Sequence, residues 1–338
     1  MNTNTQVKLA KRPVGLPDDA CWSIEKNPID MLQEGEVLVQ TQFISLDPAM
    51  RGWMNEGKSY IRPVQIGEVM RAGTAGVVVE SKNTHFKPGD PVVGSWGVQS
   101  YAVVDGSVMR PVQKVDISFT GLPTYLGTLG IAGLTGYFAF LDVGKPNAGE
   151  TVLISGAAGA VGMVVGQIAK IKGCKAIGIA GSDDKCQYVV QELGFDACIN
   201  YKTQDIRKSL KELCPEGIDI YFDNVGGDIL DIALTQIRKK ARIVICGAIS
   251  QYNATTAVKG PANYLSLLVN RARMEGMVVF DYQDQYPQGI AEMSKWMKEG
   301  KLKTKEYIVE GGIESFPATL LKLFTGENTG KLVLQVNP

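Results

Sequence analysis

Three glycines recur at intervals of three residues in the stretch ISGAAGAVGMVVGQIAKIKG, residues 154–173. Gly156, Gly159 and Gly162 follow an apolar run and precede a segment with helical spacing. A glycine turn between a strand and a helix can place backbone amides and the positive end of the helix against a pyrophosphate. The usual G-x-G-x-x-G pattern has Ala157 at its first position here. The turn alone therefore leaves a dinucleotide site and a plain tight turn both open.

The end of the next apolar segment favours NADP over NAD as the cofactor. An NAD site usually carries an acidic residue there, which binds the ribose 2′-hydroxyl. In this chain the segment ends in GIAGSDDK, with Gly181 and Ser182 in place of the acid and Lys185 within the next turn. A missing acid together with a nearby cation suits a 2′-phosphate. The alternative is that Lys185 is only a solvated lysine on a helix.

Apolar runs alternate with helical segments after residue 151, which predicts βαβ units and a parallel sheet buried on both faces. Strands are predicted at 151–155, 175–181, 197–201, 218–227 (ending in a glycine turn), 241–247 and 274–280. Helices are predicted at 160–172 and 183–193. A third helix follows the strand 197–201 and ends at about 214, and a fourth runs from the glycine turn after 218–227 to 239.

The flanking segments have a different pattern. Residues 1–125 contain short strands, such as EVLVQTQF and TAGVVVE, and turns such as KPGD, which indicates an antiparallel, barrel-like β domain. Residues 301–338 contain two further strands around a helix near Phe316–Phe324, and we expect them to rejoin that domain. The predicted architecture is α/β, with one domain from 1–125 and 301–338 and a nucleotide-binding domain from 126–300.

Composition and charge argue against several classes of partner. The 338 residues include 35 Lys and Arg and 35 Asp and Glu, so no net field favours nucleic acid or an anionic membrane. No apolar run approaches the roughly 18 residues of a membrane span, and MNTNTQVKLAKRP lacks the apolar core of a secretory signal. The six cysteines are scattered and form no C-x-x-C motif, which favours free thiols. We expect a cytoplasmic protein with a small-molecule substrate and no nucleic-acid or membrane partner.

Several motifs taken together resemble those of a known family. Similarity to the zinc-independent medium-chain dehydrogenase/reductases lies in GAVGMVVGQIAKIKG, GSDDK, NYK, YFDNVGG, CGAISQYN and GENTGK. ISLDPAMRGWM and PVQIGEVM are similar to the branch of prostaglandin, alkenal double-bond and curcumin reductases. The resemblance implies a GroES-like β-barrel domain with an inserted Rossmann domain, a doubly wound parallel sheet, and an active site in the cleft between them. It also implies reduction of the carbon–carbon double bond of α,β-unsaturated aldehydes and ketones by NADPH.

The same resemblance assigns the contacts to NADP(H). The glycine turn would face the pyrophosphate, and Lys185 and Tyr201 would hold the adenosine 2′-phosphate. Thr135, in GLTGYF, would lie near the nicotinamide. The assigned positions in the turn and in the rest of the site are Gly159, Ala160, Val161, Gly162, Asn224, Cys246, Gly247, Ala248, Ile249, Ser250, Gln251, Tyr252, Met277, Val278, Val279 and Asn328.

Two tyrosines are candidates for the catalytic hydrogen-bond donor. Hydride addition to the β-carbon of an enone leaves negative charge on the carbonyl oxygen, and a phenol is a neutral donor acidic enough to stabilise it. Tyr252 follows the fifth predicted strand, at the carboxyl edge where ligands bind. Tyr60, in GKSYIRP, could enter the cleft from the other domain. A ribose hydroxyl of the cofactor could share the role with Tyr252, and a packing role is the alternative for both tyrosines.

Two positions depart from the pattern of this branch. Ala49 in LDPAMRG stands where many family members carry tyrosine, and Val269 in LLVNRARMEG stands where several double-bond reductases carry it. If both positions line the substrate pocket, that pocket should be wider and less polar than in those relatives. We would then expect a preference for bulky or apolar enones over short alkenals. The alternative is that neighbouring side chains fill the space.

Other activities are compatible with the same sequence. They are quinone reduction with NADPH, metal-free oxidoreduction of alcohols and ketones, and NADPH binding without catalysis. We also expect a homodimer, because an exposed last strand such as GMVVF could pair with its copy.

Ligands for zinc are scarce in this sequence. The first 173 residues contain one cysteine, Cys21, and one histidine, His85, whereas zinc sites need three or four clustered ligands. A substrate carbonyl must then be polarised by hydrogen-bond donors rather than by a metal. We predict that excess chelator leaves the turnover of the purified protein unchanged. Stoichiometric zinc that is lost together with activity on chelation would contradict this prediction.

Overall fold

The computed structural model describes residues 3–107 and 109–336 and divides the chain into two compact units. The first unit runs up to Gly127 and resumes at Lys305, and the second unit is Thr128–Thr304. These divisions fall a few residues after the predicted domain boundaries at 125 and 300. Within the described residues, no helix is long and apolar enough to cross a membrane.

Antiparallel strands form the N-terminal part of the first unit. Its elements are β1 Thr3–Leu9, β2 Trp22–Pro28, β3 Val37–Ser45, α1 Ala49–Trp53, β4 Thr74–Ser81, β5 Pro91–Gly94, β6 Tyr101–Val104 and β7 Val112–Lys114. β1 and β2 pair with each other, while β3 pairs with both β4 and β6, and β5 connects β4 to β7. Val37, Val39 and Thr41 of β3 are buried, with less buried residues between them. This period of two places one face of the strand in the core.

The second unit alternates strands with helices. Its elements are α2 Ile131–Phe138, β8 Thr151–Ser155, α3 Ala160–Ile171, β9 Lys175–Ala180, α4 Asp183–Gln191, β10 Ala197–Asn200, α5 Ile206–Leu213, β11 Ile218–Asp223, α6 Gly227–Leu234, β12 Ile237–Ile245, α7 Leu265–Asn270, β13 Arg273–Gly276 and α8 Tyr286–Lys298. The strands are parallel in the order β10-β9-β8-β11-β12-β13. This is the doubly wound order, whose direction reverses beside β8. The predicted fold class is confirmed.

The C-terminal segment belongs to the first unit. It consists of β14 Glu306–Glu310, α9 Phe316–Thr325 and β15 Lys331–Gln335. β15 pairs antiparallel with β3 and parallel with β14, so it adds to the sheet of the first unit. The buried Lys331 ammonium donates to the Leu46 carbonyl oxygen at 2.8 Å and lies 2.5 Å from a carboxylate oxygen of Asp47. Both contacts fix the strand to the segment that follows β3.

One predicted boundary is wrong at the start of β12. The helix expected to run to 239 ends at Leu234, and the strand begins at Ile237 rather than at 241. The pairing of β11 with β12 shifts register between Ile218 and Ile220, and Lys240 within β12 has a φ of 67°. This irregular first half carries three charged residues in IRKKARIVI, so its sequence lacks the continuous apolar pattern of a buried strand.

The last strand of the second unit is shorter than predicted. Residues 274–280 were expected to form it, but β13 ends at Gly276, which pairs with the final residue of β12, Ile245. Beyond this pair β12 offers no further residue for β13 to bond, so the strand hydrogen bonds end there. A 3₁₀-helix, Val279–Gln285, follows instead. The apolar run GMVVF thus extends beyond the strand.

Candidate functional site

A buried carboxylate joins the carboxyl ends of β8 and β11. Asp223, the last residue of β11, is 1% exposed. Its Oδ1 atom accepts hydrogen bonds from the Ser155 hydroxyl at 2.9 Å and the Tyr221 hydroxyl at 2.7 Å. The backbone amides of Val225 and Gly226 donate to the same oxygen, each at 2.9 Å. Four donors thus stabilise one oxygen of this buried charge, whereas its Oδ2 atom has no hydrogen-bond partner among the described residues.

The backbone of Asp223 also holds the segment that follows β12. The amides of Cys246 and Gly247 donate to the Asp223 carbonyl oxygen at 2.9 and 3.1 Å. The Ile249 amide donates to the Asn224 carbonyl oxygen at 3.2 Å. The structure therefore brings the predicted cofactor segment after β12 against Asn224 at the carboxyl edge of the sheet.

The glycine turn lies beside Asn224. The Asn224 side-chain amide donates to the Ser155 carbonyl oxygen at 2.7 Å, and a Cβ added at Gly156 would lie 3.4 Å from the Asn224 Cβ. Gly156 has a φ of 60°, which favours glycine. A Cβ at Gly162 would lie 2.3 Å from the Gly156 carbonyl oxygen, so the helix can approach the turn only without a side chain there.

The start of α3 can receive an anion. Ala160, Val161 and Gly162 form its first turn, and the N-cap residue Gly159 provides no side-chain hydrogen bond. The first amides of a helix have no partner within the helix, and they carry the positive end of its dipole. A phosphate group is the ligand that such a strand–turn–helix arrangement accommodates.

The ends of β9 and β10 form a cationic corner. A Cβ at Gly181 would lie 3.0 Å from the Tyr201 hydroxyl oxygen, so the tyrosine ring packs closely against the place where an acidic side chain would begin. The Lys185 amide donates to the N-cap Ser182 hydroxyl at 3.3 Å, which places the lysine in the first turn of α4. Burial lowers the pKa of Lys185, and the charge of Lys202 lowers it further. Two ammonium groups that disfavour each other are stabilised by an anion between them.

The hydroxyl of Tyr252 is turned onto its own loop. It accepts a hydrogen bond from the Ala248 amide at 3.1 Å, and a Cβ at Gly247 would lie 2.8 Å from it. Tyr60 belongs to the first unit and is 55% exposed, and its hydroxyl accepts from the Trp53 indole at 3.1 Å. An accepted hydrogen bond polarises a phenol toward donating its own proton. The catalytic assignment of both tyrosines stays a prediction.

Thr135 lies on α2, close to the start of α3. Its hydroxyl donates to the Ile131 carbonyl oxygen at 2.7 Å. A Cβ added at the neighbouring Gly136 would lie 3.3 Å from the Val161 carbonyl oxygen, so the two helices cross closely at this glycine. The crossing places Thr135 near the first turn of α3.

The remaining predicted contacts divide between the two units. Met277 and Val278 follow β13. The carbonyl oxygen of the buried Val279 accepts a hydrogen bond from the Tyr286 hydroxyl at 3.1 Å. Asn328 belongs to the first unit, where its side-chain amide donates to the Gly330 carbonyl oxygen at 2.8 Å. Their cofactor roles stay predictions.

Ala49 and Val269, the two positions that depart from the family pattern, also lie in different units. Ala49 begins α1 and is half-buried, whereas Val269 lies on α7 and is 68% exposed. A wide substrate pocket lined by both residues stays a hypothesis.

Sequence reasoning missed the network around Asp223. Tyr221 is completely buried, and burial together with the Asp223 charge raises the pKa of its hydroxyl well above the ordinary value. The same two causes raise the pKa of the Cys246 thiol to about 12, which keeps it protonated and unreactive. The signal in the sequence was the acid that ends the strand IDIYFD.

Metal ligands are not grouped in the described part of the chain. Among residues 3–107 and 109–336, no three His, Cys, Asp or Glu side chains are placed to hold one metal ion.

Two family descriptions match the chain. Residues 5–112 match the N-terminal domain of oxidoreductase, and residues 160–295 match zinc-binding dehydrogenase. The NADPH-dependent curcumin reductase of Escherichia coli (strain K12) is 39% identical over 338 residues, which cover 98% of this chain and 97% of the relative. Prostaglandin reductase 1 of Bos taurus is 39% identical over 330 residues, which cover 97% of each.

A solved structure has the same fold along its whole length. It is that of CurA from Vibrio vulnificus in complex with NADPH, which is 40% identical to this chain. The two superpose with a TM-score of 0.92, covering 99% of each chain.

Proposed function

Because the chain belongs to the zinc-independent medium-chain dehydrogenase/reductases and is an NADP-dependent oxidoreductase, we propose that it reduces the carbon–carbon double bond of α,β-unsaturated aldehydes and ketones. The observation that carries this proposal is similarity over nearly the whole chain to an NADPH-dependent curcumin reductase. The cationic corner at Lys185 supports NADPH as the reductant.

The geometry of the second unit fits the cofactor. The first turn of α3 would bind the pyrophosphate through its amides, since the turn before it contains glycine at the crowded positions. Lys185, Lys202 and Tyr201 would surround the 2′-phosphate, because no acidic side chain begins at Gly181. The segment after β12, held by Asp223, would position the rest of the cofactor.

The chemistry divides between the cofactor and this chain. When bound, NADPH supplies a hydride for the β-carbon of the substrate. Tyr252 would donate a hydrogen bond to the carbonyl oxygen as negative charge develops there. The Ala248 amide, which donates to the Tyr252 oxygen at 3.1 Å, would hold the phenol in place and make it a stronger donor. Proton transfer to the α-carbon would complete the reduction.

Quinone reduction is the alternative that shares fold and cofactor. Initial rates of NADPH oxidation with short alkenals, cyclic enones and quinones, each with product identification, test the proposal directly. We expect saturated carbonyl products and specificity constants that favour enones over quinones. Hydroquinone as the only product would replace this proposal with the alternative, and NADPH binding without any turnover would indicate a non-catalytic protein.

Lys185→Ala tests the binding of the 2′-phosphate. Loss of a charge-assisted hydrogen bond costs about 1.5–3 kcal/mol. The KM for NADPH should therefore rise by about 10- to 150-fold, while the KM for NADH, which lacks this phosphate, stays nearly unchanged. Lys208→Ala, at an exposed lysine on α5, is the matched control and should change neither value. An equal rise in the KM for NADPH and for NADH in Lys185→Ala would contradict the assignment of Lys185 to the 2′-phosphate.

Tyr252→Phe tests the hydrogen-bond donor. Removing one such donor typically lowers turnover by about 10²–10³-fold, and we expect a smaller loss because a ribose hydroxyl shares the role. A donor role lowers kcat, whereas a role in holding the loop raises the KM for NADPH. Tyr264→Phe, at an exposed tyrosine before α7, is the control. A kcat within about twofold of the parent would show that Tyr252 only packs.

We further propose a homodimer that forms through one face of the second unit. β13 is an edge strand, and α7 beside it exposes Leu265, Leu268 and Val269, with Leu268 73% exposed. Exposed apolar side chains next to an open strand edge are typical of an interface between copies. Sedimentation equilibrium should give a dimer, and Leu268→Glu should give a monomer. Met31→Glu, at an exposed apolar residue of the first unit, should leave the dimer intact. A monomeric parent protein would contradict the proposal.

A further inference from the structure

An open surface cavity of about 450 Å³ in the second unit is lined mainly by positively charged side chains, most of them exposed. Its lining residues are Lys145, Asn147, Lys240, Arg242, Arg271 and Arg273. Lys145 and Asn147 lie before β8, Lys240 and Arg242 lie within β12, and Arg271 and Arg273 lie just before and at the start of β13. Because these strands are parallel, the cavity is at their amino ends, and the glycine turn is at the opposite edge. The cavity is therefore separate from the proposed cofactor site.

Three of the lining residues have an unusual backbone. Lys145, Lys240 and Arg271 have φ values of 47°, 67° and 48°. Across residues 3–107 and 109–336 they are the only residues other than glycine with positive φ. Lys145 ends the helix Ala139–Gly144 and Arg271 ends α7, and both have the left-handed conformation that commonly terminates a helix. Glycine adopts this conformation more readily than a lysine or an arginine does. The three positions all supply a cation to one cavity.

The other two cations are held in place by neighbouring acceptors. The Arg242 guanidinium donates to the Glu150 carboxylate at 2.9 Å and to the Gly144 carbonyl oxygen at 2.8 Å. Arg273 lies 3.7 Å from the Glu275 carboxylate. These contacts orient the two guanidinium groups before any ligand arrives.

The cavity keeps an excess of three positive charges. Glu150 and Glu275 are the carboxylates paired with its five cations. Lys145, Lys240 and Arg271 form no ion pair with any residue that the structure describes. The whole chain has no net charge, so this excess is local rather than a general property of the surface. Cations that converge without partners repel one another unless an anion lies between them.

We propose that this cavity binds a compact anion with at least two phosphate groups, such as pyrophosphate or the polyphosphate of a nucleotide. Each phosphate carries roughly 1.5–2 negative charges near neutral pH, so two of them carry about three to four, which is close to the local excess. Guanidinium groups bind phosphate oxygens in pairs, and ammonium groups add point charges. A volume of about 450 Å³ has room for a compact anion.

Calorimetric titration of pyrophosphate into protein saturated with NADP⁺ tests this site, because the cofactor then occupies its own phosphate contacts. We expect saturable binding, with inorganic phosphate weaker by about tenfold or more. ATP tighter than pyrophosphate would show that a nucleoside adds contacts, and equal affinities would show that the polyphosphate suffices; both support the site. Absence of saturable binding of both pyrophosphate and ATP would overturn it.

The decisive variant is Lys145→Gly/Lys240→Gly/Arg271→Gly. It removes three cations and gives each of these positions the residue that accepts positive φ, so the fold should not be weakened. We expect at least a tenfold loss of pyrophosphate affinity, with an unchanged or higher unfolding midpoint. Arg271→Gly alone should give a smaller loss in the same direction, and it serves if the triple variant does not fold.

Lys239→Gly is the matched control, since Lys239 is an exposed neighbour on β12 that does not line the cavity. It should bind pyrophosphate as the parent protein does. A loss in Lys239→Gly equal to that in Arg271→Gly would indicate a diffuse field rather than a site. Undiminished affinity in the folded triple variant would also overturn the proposal.

Discussion

One buried oxygen of Asp223 accepts hydrogen bonds from Ser155, Tyr221 and two backbone amides. Removing such donors from a buried charge costs several kcal/mol, because the charge then lies in a poorly polarisable interior without compensation. The carboxylate and its donors therefore require one another. The carbonyl oxygen of the same residue also binds the backbone amides of the segment after β12. Three parts of the candidate site lie next to this contact: the glycine turn, Asn224 and the loop of Tyr252.

Positive charge is organised differently at the two edges of the parallel sheet. At the carboxyl edge, helix amides and the Lys185 and Lys202 ammonium groups suit the phosphates of a dinucleotide. At the amino edge, Lys145 and Arg271 are left-handed C-cap residues at the ends of two helices, and Lys240 lies in the irregular part of β12. The first arrangement follows from the βαβ fold itself. The second brings five cations together with two paired carboxylates, and this excess of positive charge is the physical reason to attribute a ligand to it.

The sequence predicted the parallel sheet because long apolar strands alternate with helices, and β8, β9 and β10 lie where this pattern indicated. The cationic corner could also be predicted from the sequence, because a glycine replaces the acid and Lys185 follows within one turn. The start of β12 was missed because the bulge near Lys240 interrupts the apolar pattern. The end of β13 was missed because strand length depends on a partner, Ile245, that lies far away in sequence.

The network around Asp223 could not be derived from spacing. Ser155 and Asp223 are 68 residues apart, and only the adjacency of β8 and β11 brings them together. The cavity at the amino edge has the same origin, because its cations come from segments before β8, in β12 and at β13. Sites assembled from several strand ends need the strand order before they can be recognised.

The most direct test of the proposed activity is the position of deuterium in the product. The protein would be supplied with an α,β-unsaturated ketone and NADPH deuterated at the transferable position of the nicotinamide, and the product analysed by NMR. Double-bond reduction predicts a saturated ketone with one deuterium on the former β-carbon. Deuterium on the carbonyl carbon of an allylic alcohol, with the double bond retained, would contradict it.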